Sequence, residues 1–219
     1  ALEARDKWAE KPAPERGKIF IKTANILEDK KEELTRTLTR EEGKTLSEAA
    51  PEVQRAIDIF YYYGAKARDI GGVVKAPSGK DKHLFTKNKP VGVVGLITPW
   101  NYPIAIPAWK IGPALATGNT VVFKPATLAP NVSRKLVKAL IKAGVPDGVL
   151  NHITGPGNEV GAAITTHKDI DAVSFTGSLK VGNMVYEQAS NTGKRVQTEM
   201  GGKNPTVITS SADIDEAAD

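Results

Sequence analysis

The chain has 219 residues, 40% hydrophobic and 25% charged, with no apolar run long enough to cross a bilayer, which sets aside disorder and a helical membrane span and fits a cytoplasmic protein. It contains no cysteine, so disulfides, zinc–thiolate sites and a thiol nucleophile are excluded within these residues, and the scattered His83, His152 and His167 suggest no metal site. The net charge of +5 comes from lysines and arginines spread along the chain, without the interleaved aromatics of a single-strand groove, and this suits a solvated surface or a phosphate-bearing ligand better than nucleic acid.

The opening ALEARDKWAE reads as the middle of a helix, with neither initiator methionine nor signal peptide, as expected of a fragment or a trimmed protein. Residues 1–70 are expected as N-terminal helices. Phe20, Ala24, Leu27, Leu34 and Leu38 recur at helical spacing, and Gly43 closes that stretch. Ser47 is the expected N-cap of the next helix, with Pro51 in its first turn and Val53, Ile57, Phe60, Gly64 and Ala67 as its apolar stripe. Residues 71–90 hold the turn signals Gly71–Gly72 and Pro77–Ser78–Gly79 beside lysine-rich strands near 73–76 and 82–89, a ribbon that is either a surface arm or an edge meeting another subunit.

From residue 91 the pattern changes. VGVVGLIT (91–98) and NTVVFK (119–124) are short apolar runs of the kind covered on both faces in a parallel sheet. VLNHIT (149–154), DAVSFT (171–176) and KRVQTE (194–199) follow as strands, with helical segments at 103–117, around Val132, Leu136, Leu140 and Ala143, at Val160 and Ile164, and at Val181, Met184, Val185 and Gln188. This alternation over 91–200 predicts an α/β fold with a doubly wound parallel sheet. Residues 201–219 restart the rhythm, with PTVIT (205–209) as a strand and ADIDEAAD opening a helix with an acidic first turn.

Ligands of open α/β sheets bind at the carboxyl ends of the strands. There the sequence places PWNYP (99–103), Lys124, the glycine turn GPGNEVG (155–161), Gly177–Ser178 and Glu199. Each has a plain reading and a functional one. Asn101 is a turn former or an N–H donor for a developing oxyanion. Lys124 snorkels to solvent or meets a ribose or phosphate. GPGNEVG is GxGxxxG, a weak pattern alone, yet glycine turns that open helices offer free N–H groups to phosphate. Glu199 caps a turn or acts as a base.

Together PWNYP, FKPA (123–126), FTGS (175–178) and EMGGKNP (199–205) resemble the aldehyde dehydrogenase superfamily in order and spacing, and the resemblance covers essentially the whole chain. It implies a Rossmann-like dinucleotide-binding domain and oxidation of an aldehyde to a carboxylic acid, through a cysteine thiohemiacetal and thioester with a nicotinamide cofactor as oxidant. Asn101 matches the oxyanion donor and Glu199 the general base. Ile97, Thr98, Pro99 and Trp100 match the nicotinamide side, Lys124 the adenosine ribose, and Gly177 and Ser178 the helix start beneath the pyrophosphate. Ala126, Thr127, Gly157, Gly161, Phe175, Thr176, Val181, Met200 and Gly201 complete the implied cofactor set, which also takes in Glu199.

Two departures stand out. The family's nucleophilic cysteine lies a few tens of residues beyond the glutamate, past Asp219, so the chain alone is expected to be inactive and residues 201–219 to start a truncated catalytic domain. NAD-preferring members often carry glutamate at the position of Thr127, where a carboxylate would repel a 2′-phosphate, so NADP is favoured with NAD as the alternative. A homo-oligomer, dimer or tetramer, acting on a small aldehyde is expected of the full-length enzyme. The alternatives are a non-catalytic dinucleotide-binding or regulatory module and an inactive structural fragment; Asn101 and Glu199 weigh against the first, since a binding module has no use for them.

Overall fold

The computed structural model describes residues 1–202 and 204–218; Lys203 of the EMGGKNP run and Asp219 lie outside the described residues. Four helices come first: α1 (Leu2–Glu10), α2 (Ala13–Asp29), α3 (Lys31–Glu42) and α4 (Leu46–Lys66). Gly43 ends α3 in the left-handed conformation at φ 97°, which glycine adopts without a Cβ penalty. The N-cap of α4 is Thr45, not Ser47. Its hydroxyl accepts from the Glu48 N–H at 3.3 Å, and the Glu48 carboxylate accepts from the Thr45 N–H at 3.0 Å. This reciprocal box starts the helix two residues earlier than expected and puts Pro51 in the second turn.

A two-stranded antiparallel ribbon follows, β1 (Val74–Lys75) and β2 (Leu84–Phe85), exposed on both faces. The main sheet has five parallel strands, β3 (Val93–Ile97), β4 (Thr120–Lys124), β5 (Leu150–His152), β6 (Ala172–Gly177) and β7 (Arg195–Met200), in the order β5-β4-β3-β6-β7. They alternate with α5 (Ala105–Ala116), α6 (Pro130–Ala143), α7 (Ala162–Thr166) and α8 (Leu179–Ser190). The doubly wound sheet is therefore present. Val160 sits in a wide π-type turn over Gly157–Gly161, and only Ile164 of that expected helix lies in α7.

One core joins the helical layer to the sheet: Trp8, Phe20, Leu27 and Phe60 pack with Leu96, Val121 and Phe123. A second cluster, with Ile164, Val173, Phe175 and Val185, lies under α7 and α8. PTVIT forms no strand; Val207 and Ile208 are exposed, and a strand needs a neighbour to satisfy its backbone groups. The acidic helix α9 (Ile214–Ala218) forms as expected.

Candidate active site

The parallel register levels the strand ends. Ile97 lies opposite both Lys124 and Phe175, and Thr176 lies opposite Glu199. The Thr98 N–H extends the ladder to the Lys124 carbonyl at 3.2 Å. The chain runs outward from β3 to β5, then returns to β6 on the other side of β3, so the β3–β6 junction is the topological switch point. The sequence-derived residues of PWNYP, Lys124, Phe175–Ser178 and Glu199 all border this edge.

The sheet divides them between two faces. Alternation along β7 puts Arg195, Gln197 and Glu199 on the α5 side, where an open groove of about 590 Å³ is lined by Trp109, Lys110, Ser174, Thr176, Gln197 and Glu199. Glu199 and the Asn101 carboxamide are exposed, and neither side chain has a hydrogen bond among the described residues. Both are uncommitted polar groups, one an acceptor and one a donor. Trp100 and Tyr102, flanking Asn101, are exposed too.

The groove also holds a residue that sequence reasoning missed. Lys110 Nζ donates to Ser174 Oγ at 2.7 Å and to Gln197 Oε1 at 3.4 Å. Burial pulls its ammonium down to about 8, while the Glu199 carboxylate acts in the opposite sense. A lysine at the centre of an otherwise apolar helix, AIPAWKIGPALA, was the available signal. A half-buried amine lowered to about 8 can give up or take a proton close to that pH.

The remaining residues lie at the strand ends or on the α8 side. Thr98 is buried and its hydroxyl has no partner among the described residues. Lys124 is buried, its Nζ reaching only the Pro125 carbonyl at 3.2 Å, and burial lowers its pKa. Thr127, just past Ala126, donates its hydroxyl to the Gly155 carbonyl at 3.2 Å, tying the β4 and β5 loops together. Ser178 caps α8 by accepting from the Val181 N–H at 3.4 Å. Val181 is partly exposed on the first turn.

The glycines separate by cause. A Cβ on Gly177 would meet the Phe175 ring at 2.6 Å, and one on Gly182 would meet Met200 Sδ at 2.4 Å. Close packing against the sheet explains both, and it makes Phe175 and Met200 the floor beneath α8. Gly157 and Gly161 have nothing within 4 Å of a built Cβ and no positive φ. The protein's own packing does not require glycine there, whereas close approach of a ligand to the π-type turn would. With the orphaned Thr98 hydroxyl and buried Lys124, these residues fit a dinucleotide. Pro99 lies in the open loop after β3 and Gly201 just past β7, with free space around a built Cβ.

The family model for the aldehyde dehydrogenase family matches residues 1–219. The chain is 58% identical over 219 residues to an alpha-ketoglutarate semialdehyde dehydrogenase of Haloferax volcanii, covering 100% of this chain and 45% of that protein. It is 45% identical over 221 residues to a 2,5-dioxopentanoate dehydrogenase of Saccharolobus solfataricus, covering 100% and 46%. Among solved structures it is similar to betaine aldehyde dehydrogenase of Staphylococcus aureus in complex with NAD+, with a TM-score of 0.94 and 36% identity, covering 99% of this chain and 43% of that one. The chain spans less than half the length of these relatives.

Proposed function

Because this chain belongs to the aldehyde dehydrogenase family over its whole length, we propose that it is the nicotinamide-dinucleotide-binding part of an enzyme that oxidises an aldehyde to a carboxylic acid. The observation that carries this reading is the pair of uncommitted groups at one carboxyl edge of the sheet, Asn101 in the turn after β3 and Glu199 in a groove that also holds Lys110. The nucleophile is a cysteine thiolate contributed from outside these residues.

The dinucleotide, when bound, supplies the hydride acceptor. Gly157, Gly161, Gly177, Ser178 and Val181 would hold its pyrophosphate and adenine side, Lys124 and Thr127 its ribose, and Ile97 to Trp100 its nicotinamide side. Asn101 donates its carboxamide N–H to the carbonyl oxygen as that oxygen gains charge. Glu199 takes the proton from the thiol or from the hydrolytic water, and Lys110 stands beside it as an electrostatic partner that titrates near pH 8.

The substrate is a short semialdehyde that carries a carboxylate. Two relatives are named for alpha-ketoglutarate semialdehyde, which is the same compound as 2,5-dioxopentanoate. Lys110 lines the groove with Glu199 and Arg195 lines its far end, and such cations suit an anionic aldehyde. Thr127 favours NADP, since a neutral hydroxyl does not repel a 2′-phosphate. NAD is the second reading, favoured by the NAD+ complex of the Staphylococcus aureus relative. The exposed β1–β2 ribbon is the proposed subunit contact.

The test is formation of reduced cofactor by the full-length protein with 2,5-dioxopentanoate and with betaine aldehyde. Turnover with the first at much higher kcat/KM is the expected result. Turnover with neither contradicts the proposal.

A further inference from the structure

The turn that carries Asn101 is fastened to the N-terminal helices by a buried ion pair. Lys44 follows the left-handed Gly43 at the end of α3, and Glu52 lies on the inner face of α4; their side chains are 11% and 1% exposed. Lys44 Nζ donates to Glu52 Oε2 at 2.6 Å and to the backbone carbonyl of Asn101 at 3.0 Å. It also stands 4.3 Å from the centre of the Tyr102 ring. The other Glu52 oxygen accepts from the N–H groups of Ile104 at 3.1 Å and Ala105 at 3.2 Å. Those are open donors at the start of α5, where Ile104 provides no side-chain cap. Glu42 adds a second carboxylate 3.1 Å from the same ammonium. One ion pair therefore grips the PWNYP turn at its middle residue, Asn101, and just past its end, while the Asn101 carboxamide itself has no hydrogen-bonded tether among the described residues.

Burying an ion pair is a poor way to gain stability, because desolvation offsets most of the attraction and apolar side chains would fill the space as well. An ion pair adds fixed direction instead. A donor for a developing oxyanion works only if it is in place before the charge appears, and a misplacement of about 1 Å lowers a rate by about 10²-fold. We infer that Lys44 and Glu52 are positioning residues, which fix the backbone of Asn101 and thereby hold its carboxamide where the reaction needs it. This rests on the oxyanion role proposed above for Asn101.

The test uses the full-length enzyme. Lys44→Met and Glu52→Gln, made together in a Glu42→Gln parent, release the Asn101 carbonyl without leaving any of the three charges unpaired, and the glutamine oxygen at 52 still accepts from Ile104 and Ala105. The double variant is expected to lose about 10- to 100-fold in kcat, with the cofactor Kd and the aldehyde KM within about twofold of the parent. Lys44→Arg is expected to keep most of the activity. In an Asn101→Ala background the same two substitutions should lower kcat no further, because the group they position is gone. An equal loss in both backgrounds, or no loss in the parent, overturns the inference. If Asn101→Ala alone leaves kcat unchanged, the oxyanion reading falls and the positioning role falls with it. If Asn101→Ala lowers kcat while the double variant does not, only the positioning role falls. Should the double variant fail to fold, Lys44→Gln, a shorter donor for Glu52, must show the same loss and the same non-additivity.

Discussion

At the scale of single residues, the groove beside α5 makes separable demands on Glu199 and Lys110. Glu199→Gln keeps the shape of the side chain and removes the base, so turnover should collapse while dinucleotide affinity stays near the parent value; a fully active variant contradicts the assignment. For Lys110 the sign follows from burial. Its pKa is about 8 in the folded chain against an ordinary value of 10.5, so the folded state gives up its proton before the unfolded state does. Stability then rises with pH between about 8 and 10.5, and below about 8 the buried charge weighs against folding. Lys110→Met should therefore be more stable than the parent at pH 7, and the gain should fade as pH rises through that window. Denaturant midpoints at pH 7 and pH 10 check this, and a constant difference would rule it out. Asn101 and Glu199 were legible in the sequence because they stand next to strand ends inside recognisable motifs. Lys110, Lys44 and Glu52 were not, because their partners are 64, 57 and 52 residues away along the chain.

At the scale of elements, the N-terminal helices do more than cover the sheet. They hold α5 at both ends. Glu52 fills its N-terminus, and at its C-terminus Arg16 Nε donates to the Ala116 carbonyl at 3.0 Å while Trp8 Nε1 donates to the Leu115 carbonyl at 3.1 Å. The next helix, α6, is treated alike: Glu41 accepts from the N–H groups of Asn131 and Val132 at 2.5 and 2.7 Å. Carboxylates at helix N-termini and a cation at a C-terminus also complement the helix dipoles. Periodicity gave the helices and strands almost in full, since buried stripes and apolar runs are local signals. It missed what depends on distant partners or competing local bonds. Thr45 won the cap from Ser47 because Glu48 stands three residues on, in reach of a reciprocal bond. PTVIT has strand composition but no strand beside it. Thr45→Ala should lower stability by about 1 kcal/mol, whereas Ser47→Ala should stay within about 0.5 kcal/mol. Chemical unfolding distinguishes them, and equal effects would contradict the cap assignment.

At the scale of the whole molecule, the proposed function divides two tasks between opposite sides of one sheet. In the proposed reading, the α8 side and the π-type turn offer glycines and a capped helix start to a dinucleotide, while the α5 side offers the free carboxylate of Glu199 and Lys110 to the reacting carbonyl. Both meet at the strand ends, where Thr98 and Lys124 lie buried and short of partners. The proposed function requires that this edge bind a nicotinamide dinucleotide, and that Thr127 leave room for a 2′-phosphate. Calorimetric titration of the protein and of its Thr127→Glu variant with NADP+ and with NAD+ tests it most directly. Saturable binding with NADP+ preferred is expected in the parent, and a preference shifted toward NAD+ in the variant. Binding of neither dinucleotide would contradict the site, and an unchanged preference in the variant would contradict the part given to Thr127.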